Sequence, residues 1–215
     1  MVVNGFAPRF WGCAAGRLVE HYREHVTFNH ADVGVGTGYF LDHCDRPFSR
    51  LALIDLQPNC LQHTSRRLAR FRPSCHVRDV WQPIVGVEKP AFDSIALGGI
   101  LHCLAGAFDE KGRVFDNLAA LARPGTKIFG YTMVADGVRD RAHSRALHDL
   151  LNRLRVIDNT RDRVADLGHA LESRFSDCKV SLIGSMALFS AVAPPNYCRG
   201  TSHDRHRLHP RNPEL

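Results

Sequence analysis

Short, strongly apolar runs alternate along this chain with stretches whose apolar residues recur at helical spacing, and that alternation restricts the fold more than any other feature. Residues 14–28 place Leu18, Tyr22 and Val26 on one helical face. A first strand follows over 30–34 and a second over 51–55. Pro58 lies where the next helix begins, a position that makes no use of the missing N–H, and Leu61, Thr64, Leu68 and Phe71 share its inner face. Residues 75–79 and 93–99 read as third and fourth strands. The stretch 109–122 is expected as one helix with Val114, Leu118 and Leu121 inward, stopped by Arg123-Pro124-Gly125. A fifth strand over 127–134 leads into helices over 141–155 and 160–174. The last two β-rich runs, 179–184 and 186–193, lie so close that only an antiparallel hairpin can join them. Five β–α alternations ending in a hairpin predict an α/β fold: a mostly parallel sheet of seven strands, with helices on both faces. One domain is expected over 1–194, followed by a polar, basic and disordered tail over 195–215.

Composition narrows the class. With 215 residues, 44% hydrophobic and 23% charged, the chain fits one domain with a sizeable core, and disordered, collagenous and coiled-coil classes are excluded. No apolar run is long enough to span a bilayer and the N-terminus lacks a signal peptide's apolar stretch, so a cytoplasmic protein with no membrane partner is expected. Seven scattered cysteines without a C-x-x-C pair point to reduced thiols rather than a disulfide framework or a zinc knuckle. The formal charge of +6 comes partly from four arginines in the last eighteen residues. What remains forms no basic stripe with interleaved aromatics, which ranks nucleic acid low as a partner.

The most informative stretch is Asp32-Val33-Gly34-Val35-Gly36-Thr37-Gly38, at the end of the first strand and the start of the next helix. Glycine at every second position lets the backbone turn sharply and approach a ligand closely. A dinucleotide fingerprint would need glycine where Tyr39 or Leu41 stands, and the P-loop pattern is also absent. Alone, the cluster has a competing reading as a tight strand-to-helix turn with no ligand. Asp55 then closes the second strand, where a carboxylate can accept hydrogen bonds from a ribose diol. Asp79 closes the third, suited to an adenine amino group, although either aspartate also fits a capping or turn role. Ligands of open α/β sheets bind beyond the carboxyl ends of the strands, where strand order reverses.

With these elements in order, the chain resembles the class I S-adenosylmethionine-dependent methyltransferases. Asp32 to Gly38 is similar to their first motif, Ile54-Asp55 to the acidic end of their second strand, and Arg78-Asp79-Val80 to their third-strand aspartate. Residues 92–99 match the fourth strand and 121–126 the turn before the fifth. The resemblance spans about residues 14–193 and implies a Rossmann-like fold with S-adenosyl-L-methionine as cofactor. It also implies roles. Gly34, Gly36 and Gly38 would floor the methionine part, with Asp32 supporting its amino group directly or through water. Asp55 would hold the ribose hydroxyls beside Leu56, Asp79 would address the adenine amino group, and Val80 or Trp81 would pack on the ring. Gly98 would offer a carbonyl to the cofactor's cationic end. Few residues precede Trp11, so a short N-terminal lid is expected.

His102, in the loop after the fourth strand, is the candidate catalytic base, because an imidazole near its ordinary pKa can take a proton from a phenol or hydroxyl. A histidine that merely shapes the pocket is the competing reading. Tyr131 and the helices over 138–158 are expected around the acceptor. The Asn/Asp-Pro-Pro-Tyr/Phe run of enzymes that methylate exocyclic amines is missing after the fourth strand, and no acidic cluster suggests a catechol-type magnesium site. No metal site is expected, His203, His206 and His209 being read as part of a solvated tail. The phrases 99–104 and 184–193 are similar to small methyltransferases of microbial secondary metabolism, which implies methylation of an oxygen or nitrogen of a small metabolite. The alternatives are an RNA methyltransferase, or a non-catalytic cofactor-binding subunit. Nothing in the sequence speaks to oligomeric state.

Overall fold

The computed structural model describes residues 11–87, 91–136 and 142–197. Its elements in chain order are α1 (Ala15–His25), β1 (Asn29–Val33), α2 (Tyr39–Asp42), β2 (Arg50–Asp55), α3 (Pro58–Arg67), β3 (Ser74–Val77), β4 (Phe92–Gly98), α4 (Phe108–Lys111), α5 (Arg113–Asn117), β5 (Ala122–Met133), α6 (Ala142–Arg153), α7 (Val164–Glu172), β6 (Ser176–Ile183) and β7 (Met186–Val192). The strands form one sheet in the order β3-β2-β1-β4-β5-β7-β6. Six run in one direction; β7 alone runs against them, paired with β5 on one side and β6 on the other. The expected α/β architecture with its terminal hairpin is therefore present.

Central strands flanked on both faces are nearly continuous apolar runs, and β1, β2 and β4 are buried along almost their whole length. Alternate residues feed two cores. Ala31, Val33, Ala52, Ile54, Ile95 and Leu97 face one side, against Phe108, Val114, Phe115, Leu167 and Leu171. Leu51, Leu53, Ala96 and Phe129 face the other, against Leu18, Tyr22, Val26, Leu61 and Leu68. The edge strands β3 and β6 instead alternate between covered and exposed residues.

Two elements differ from the sequence expectation. The single helix over 109–122 is two short ones, interrupted at Gly112, a residue that weakens a helix interior by about 1 kcal/mol. There Lys111, far from being solvated, is fully buried, its Nζ donating to the carboxylate of Asp162 at 2.7 Å and to the carbonyl of Asp158 at 2.6 Å. β5 also begins five residues early and runs through Pro124-Gly125, and the register against β4 slips between Phe92 and Ser94 to absorb them. Towards the C-terminus the chain stays packed as far as Tyr197, whose hydroxyl donates to the carbonyl of Phe115. The tail from 198 onward, with His203, His206 and His209, lies outside the described residues, as do residues 1–10.

Sequence order reverses beside β1: the chain passes first to β2 on one side and later to β4 on the other. The carboxyl ends of β1, β2, β4 and β5 surround the crevice that this reversal creates.

Candidate active site

A cavity of about 660 Å³ fills that crevice, within the range of small-molecule sites. Its floor is the turn after β1. Gly34, Gly36 and Gly38 have φ of +76°, +51° and +67°, the left-handed region that costs other residues roughly 1–2 kcal/mol each. Two of them are also sterically required. A Cβ on Gly34 would lie 2.7 Å from Cβ of Ile100, and one on Gly38 would lie 2.6 Å from Cγ2 of Thr64. Gly36 meets nothing within 4 Å, so here the bare backbone faces open space. The turn is pinned from outside: the Gly34 N–H donates to the Ile54 carbonyl at 2.8 Å, and the Thr64 hydroxyl donates to the Gly36 carbonyl at 2.9 Å.

Asp32 stands behind this turn, 3% exposed. The hydroxyl of Tyr22 donates to its Oδ1 across a long 3.5 Å contact. Burial pushes the Asp32 carboxyl up to about 7, despite the opposing hydrogen bond from Tyr22. Burial, then the neighbouring Asp32, pushes the Tyr22 and Tyr131 phenols up as well, so both stay protonated donors at neutral pH. Gly98 makes the Tyr22 contact possible, because a Cβ there would lie 2.1 Å from the Tyr22 hydroxyl oxygen. Tyr22 belongs to the site, yet in the sequence it reads only as one apolar position of α1. The available signal was its hydroxyl, which a buried tyrosine must satisfy.

Asp55 lines the cavity beyond the glycine turn, half-buried, with Oδ1 accepting from the Gln57 N–H at 2.8 Å. The structure thus brings Asp32, Gly34, Gly36, Gly38, Asp55, Gly98 and His102 around one space. Leu56, Asp79 and Val80 are not among its lining residues. Leu56 is 54% exposed just past the end of β2. β3 ends at Val77, and Asp79 closes the following turn, its Oδ1 accepting from the Trp81 N–H at 2.9 Å. Val80 is drawn into the core, its carbonyl taken by the Asn117 side chain.

His102 sits on a single 3-10 turn, Leu101–Cys103, and also lines the cavity. Its Nδ1 accepts from the Met133 backbone N–H at 3.2 Å and lies 3.4 Å from the Thr132 hydroxyl. Its own carbonyl accepts from the Asp158 N–H. A nitrogen that accepts from a backbone amide carries no hydrogen, so the neutral ring holds its proton on Nε2. Burial, then the charge of Lys111, pulls the pKa down to about 4. The expectation of an imidazole near its ordinary pKa is corrected: at neutral pH His102 is an uncharged hydrogen-bond donor through Nε2.

The remaining wall is apolar. Trp11, Leu18, Met133, Leu151, Ile157 and Met186 contribute to it, and no lysine or arginine occurs among the described lining residues. Among the described residues no helix is long and apolar enough to cross a membrane.

Residues 31–128 match the family described as "Methyltransferase domain". Over 192 residues the chain is 33% identical to demethylluteothin O-methyltransferase of Streptomyces thioluteus, covering 88% of this chain and 83% of that protein. It is 31% identical to N-methyltransferase vrtF of Penicillium aethiopicum, covering 86% and 78%. Among solved structures, the N-methyltransferase NodS of Bradyrhizobium japonicum WM9 in complex with S-adenosyl-L-homocysteine superposes with a TM-score of 0.62 at 15% identity, over 89% of this chain and 92% of that one. The chain belongs to the methyltransferase family. Its relatives include O- and N-methyltransferases.

Proposed function

We propose that this protein transfers a methyl group from S-adenosylmethionine to an oxygen or nitrogen atom of a small, largely apolar metabolite in the cytoplasm. One observation carries the reading: a buried carboxylate and a half-buried one accompany a glycine turn that exposes bare backbone, in a cavity whose lining is otherwise mostly apolar. The donor set fits the cofactor. Asp32, whose carboxylate has one long contact from Tyr22 as its described hydrogen bond, has acceptor capacity left for an ammonium group. Asp55 would take a ribose diol, and the exposed Leu56 beside it would cover an adenine. The glycine turn would lie under the methionine part, and the carbonyl of Gly98 would face the cationic end.

When bound, the cofactor supplies a methyl carbon already activated by a positive sulfur. The protein's task is then positioning, holding the acceptor atom about 3–3.5 Å from that carbon in line with the departing sulfur. His102 would do this through its Nε2–H, donating to an oxygen of the acceptor, and Tyr131 lines the same cavity. The apolar walls would bind the rest of the acceptor and keep water away from the reacting atoms. An acceptor that enters as a neutral amine or a phenolate needs no strong base, which suits an imidazole held neutral.

Incubation of the protein with methyl-labelled S-adenosylmethionine and small-molecule extracts of the source organism tests the proposal. Label should enter a small apolar product, and His102→Ala should slow that transfer more than it weakens cofactor binding. Label that enters only RNA, or no product at all from a chain that binds the cofactor, would overturn it.

A further inference from the structure

Helix α1 carries a second constellation, of residues that are not among those lining the cavity. His21, Glu24 and His25 stand at positions i, i+3 and i+4, which share one helical face. One ligand-type atom from each lies within 4.8 Å of those from the other two. The two imidazole rings have centroids 4.6 Å apart.

Hydrogen bonds fix which nitrogen of each ring is bare. His21 Nε2 lies 3.0 Å from the Gly130 carbonyl and 3.1 Å from the Phe189 carbonyl. Carbonyl oxygens only accept, so Nε2 carries the hydrogen and Nδ1 holds a free lone pair. His25 Nδ1 lies 2.9 Å from the carbonyl of His21, so there the hydrogen is on Nδ1 and the lone pair on Nε2. Both rings are therefore oriented by a backbone carbonyl through one nitrogen and unprotonated at the other, the arrangement that outer partners impose on metal-binding histidines. His25 is held further by stacking on Phe129, at 5.4 Å between centroids and 24° between planes. Glu24 is exposed and brings the negative charge that a divalent cation needs.

We propose that His21, Glu24 and His25 form a binding site for a divalent first-row transition ion, with zinc as the type. Two imidazoles and a carboxylate suit zinc, and two histidines four apart on a helix face are a known way of holding it. Three protein ligands leave a position for water. The site's consequence would be mechanical. Tyr22, between the ligands in sequence, lines the cavity and reaches Asp32, whereas α1 starts at Ala14 without a side-chain cap. An ion bridging the last turn and a half of α1 would stiffen the helix that presents Tyr22.

Calorimetric titration of the metal-stripped, tag-free chain with zinc chloride tests this, together with the absorption spectrum of the cobalt(II) form. The expected result is one zinc per chain, with affinity reduced roughly tenfold or more in His25→Ala and clearly reduced in Glu24→Gln. Cys75→Ser should bind as the wild type does. The cobalt spectrum should show nitrogen and oxygen ligation without sulfur charge-transfer bands, and zinc should raise the Tm of the wild type more than that of Glu24→Gln, an exposed substitution that leaves folding intact. No saturable uptake, uptake unaffected by both helix substitutions, or a thiolate charge-transfer band would overturn the proposal.

Discussion

Gly98→Ala isolates the link between the sheet and the buried carboxylate. Gly98 lies in β4 and is not among the residues with positive φ, so alanine can adopt its backbone conformation and the effect is steric alone. The new Cβ would lie 2.1 Å from the Tyr22 hydroxyl oxygen and 3.3 Å from Cζ. An ordinary contact needs more than 3 Å, so the tyrosine must retreat by about 1 Å. It has little room: Tyr22 is 2% exposed, stacked on Phe40 at 5.3 Å and edge-on to Phe129 at 5.2 Å. Overpacking of this kind costs typically 1–3 kcal/mol, and the loosened hydrogen bond to Asp32 adds about 1 kcal/mol. For a domain of this size that corresponds to a Tm lower by roughly 4–16 °C. The decisive arm is the double variant. Removing the hydroxyl with Tyr22→Phe leaves the alanine Cβ with its next neighbours at 3.3 and 3.4 Å, so Gly98→Ala/Tyr22→Phe should recover most of the lost stability in urea unfolding. Strictly additive losses, or a Gly98→Ala variant as stable as the wild type, would refute the packing argument.

Further outcomes follow from the buried ionisable groups. The Asp32 carboxyl is held at about 7 rather than 3.8, so the folded chain binds a proton more tightly than the unfolded one, and this group's contribution to stability declines as pH rises through that window. Asp32→Asn should therefore be more stable than the wild type at pH 8, with the gap closing towards pH 4 in thermal melts, and equal gaps at both pH values would contradict it. In the same window the affinity for S-adenosylmethionine should rise with pH in the wild type and stay flat in Asp32→Asn, read by calorimetry. His102, neutral above about 4, should add no inflection to turnover between pH 5 and 8 at saturating cofactor; an inflection near 6.5 that His102→Gln removes would restore it as a base. Lys111→Met should destabilise by about 3–5 kcal/mol, because Asp162, which burial already pushes up to about 6 against the pull of Lys111, is left buried without its partner, whereas Lys111→Met/Asp162→Leu should recover much of that in denaturant titration.

The fold was legible because each level of the sequence pointed the same way. Continuous apolar runs could only be doubly covered parallel strands, and the one-residue gap before Met186 could only be a hairpin. The glycine turn and the two carboxylates at the ends of β1 and β2 were legible for the same reason, since strand ends in this topology face one crevice. What stayed hidden depended on distant partners. Nothing local marks Lys111 as buried, because Asp162 lies 51 residues away. The His102 tautomer is set by an amide on β5, and Tyr22 joins the site only because Gly98 leaves room. β3 stops at Val77, and the Asp79 side chain accepts from the Trp81 N–H in the turn that follows, a placement that the residue types of 78–80 do not reveal.

Titration of the purified chain with S-adenosylmethionine, beside Asp55→Ala, puts the central claim to the test most directly. One molecule should bind per wild-type chain, and binding should be abolished in an Asp55→Ala variant that keeps the wild-type circular dichroism. A wild-type chain that releases no heat with this compound, or an Asp55→Ala variant of undiminished affinity, would contradict it.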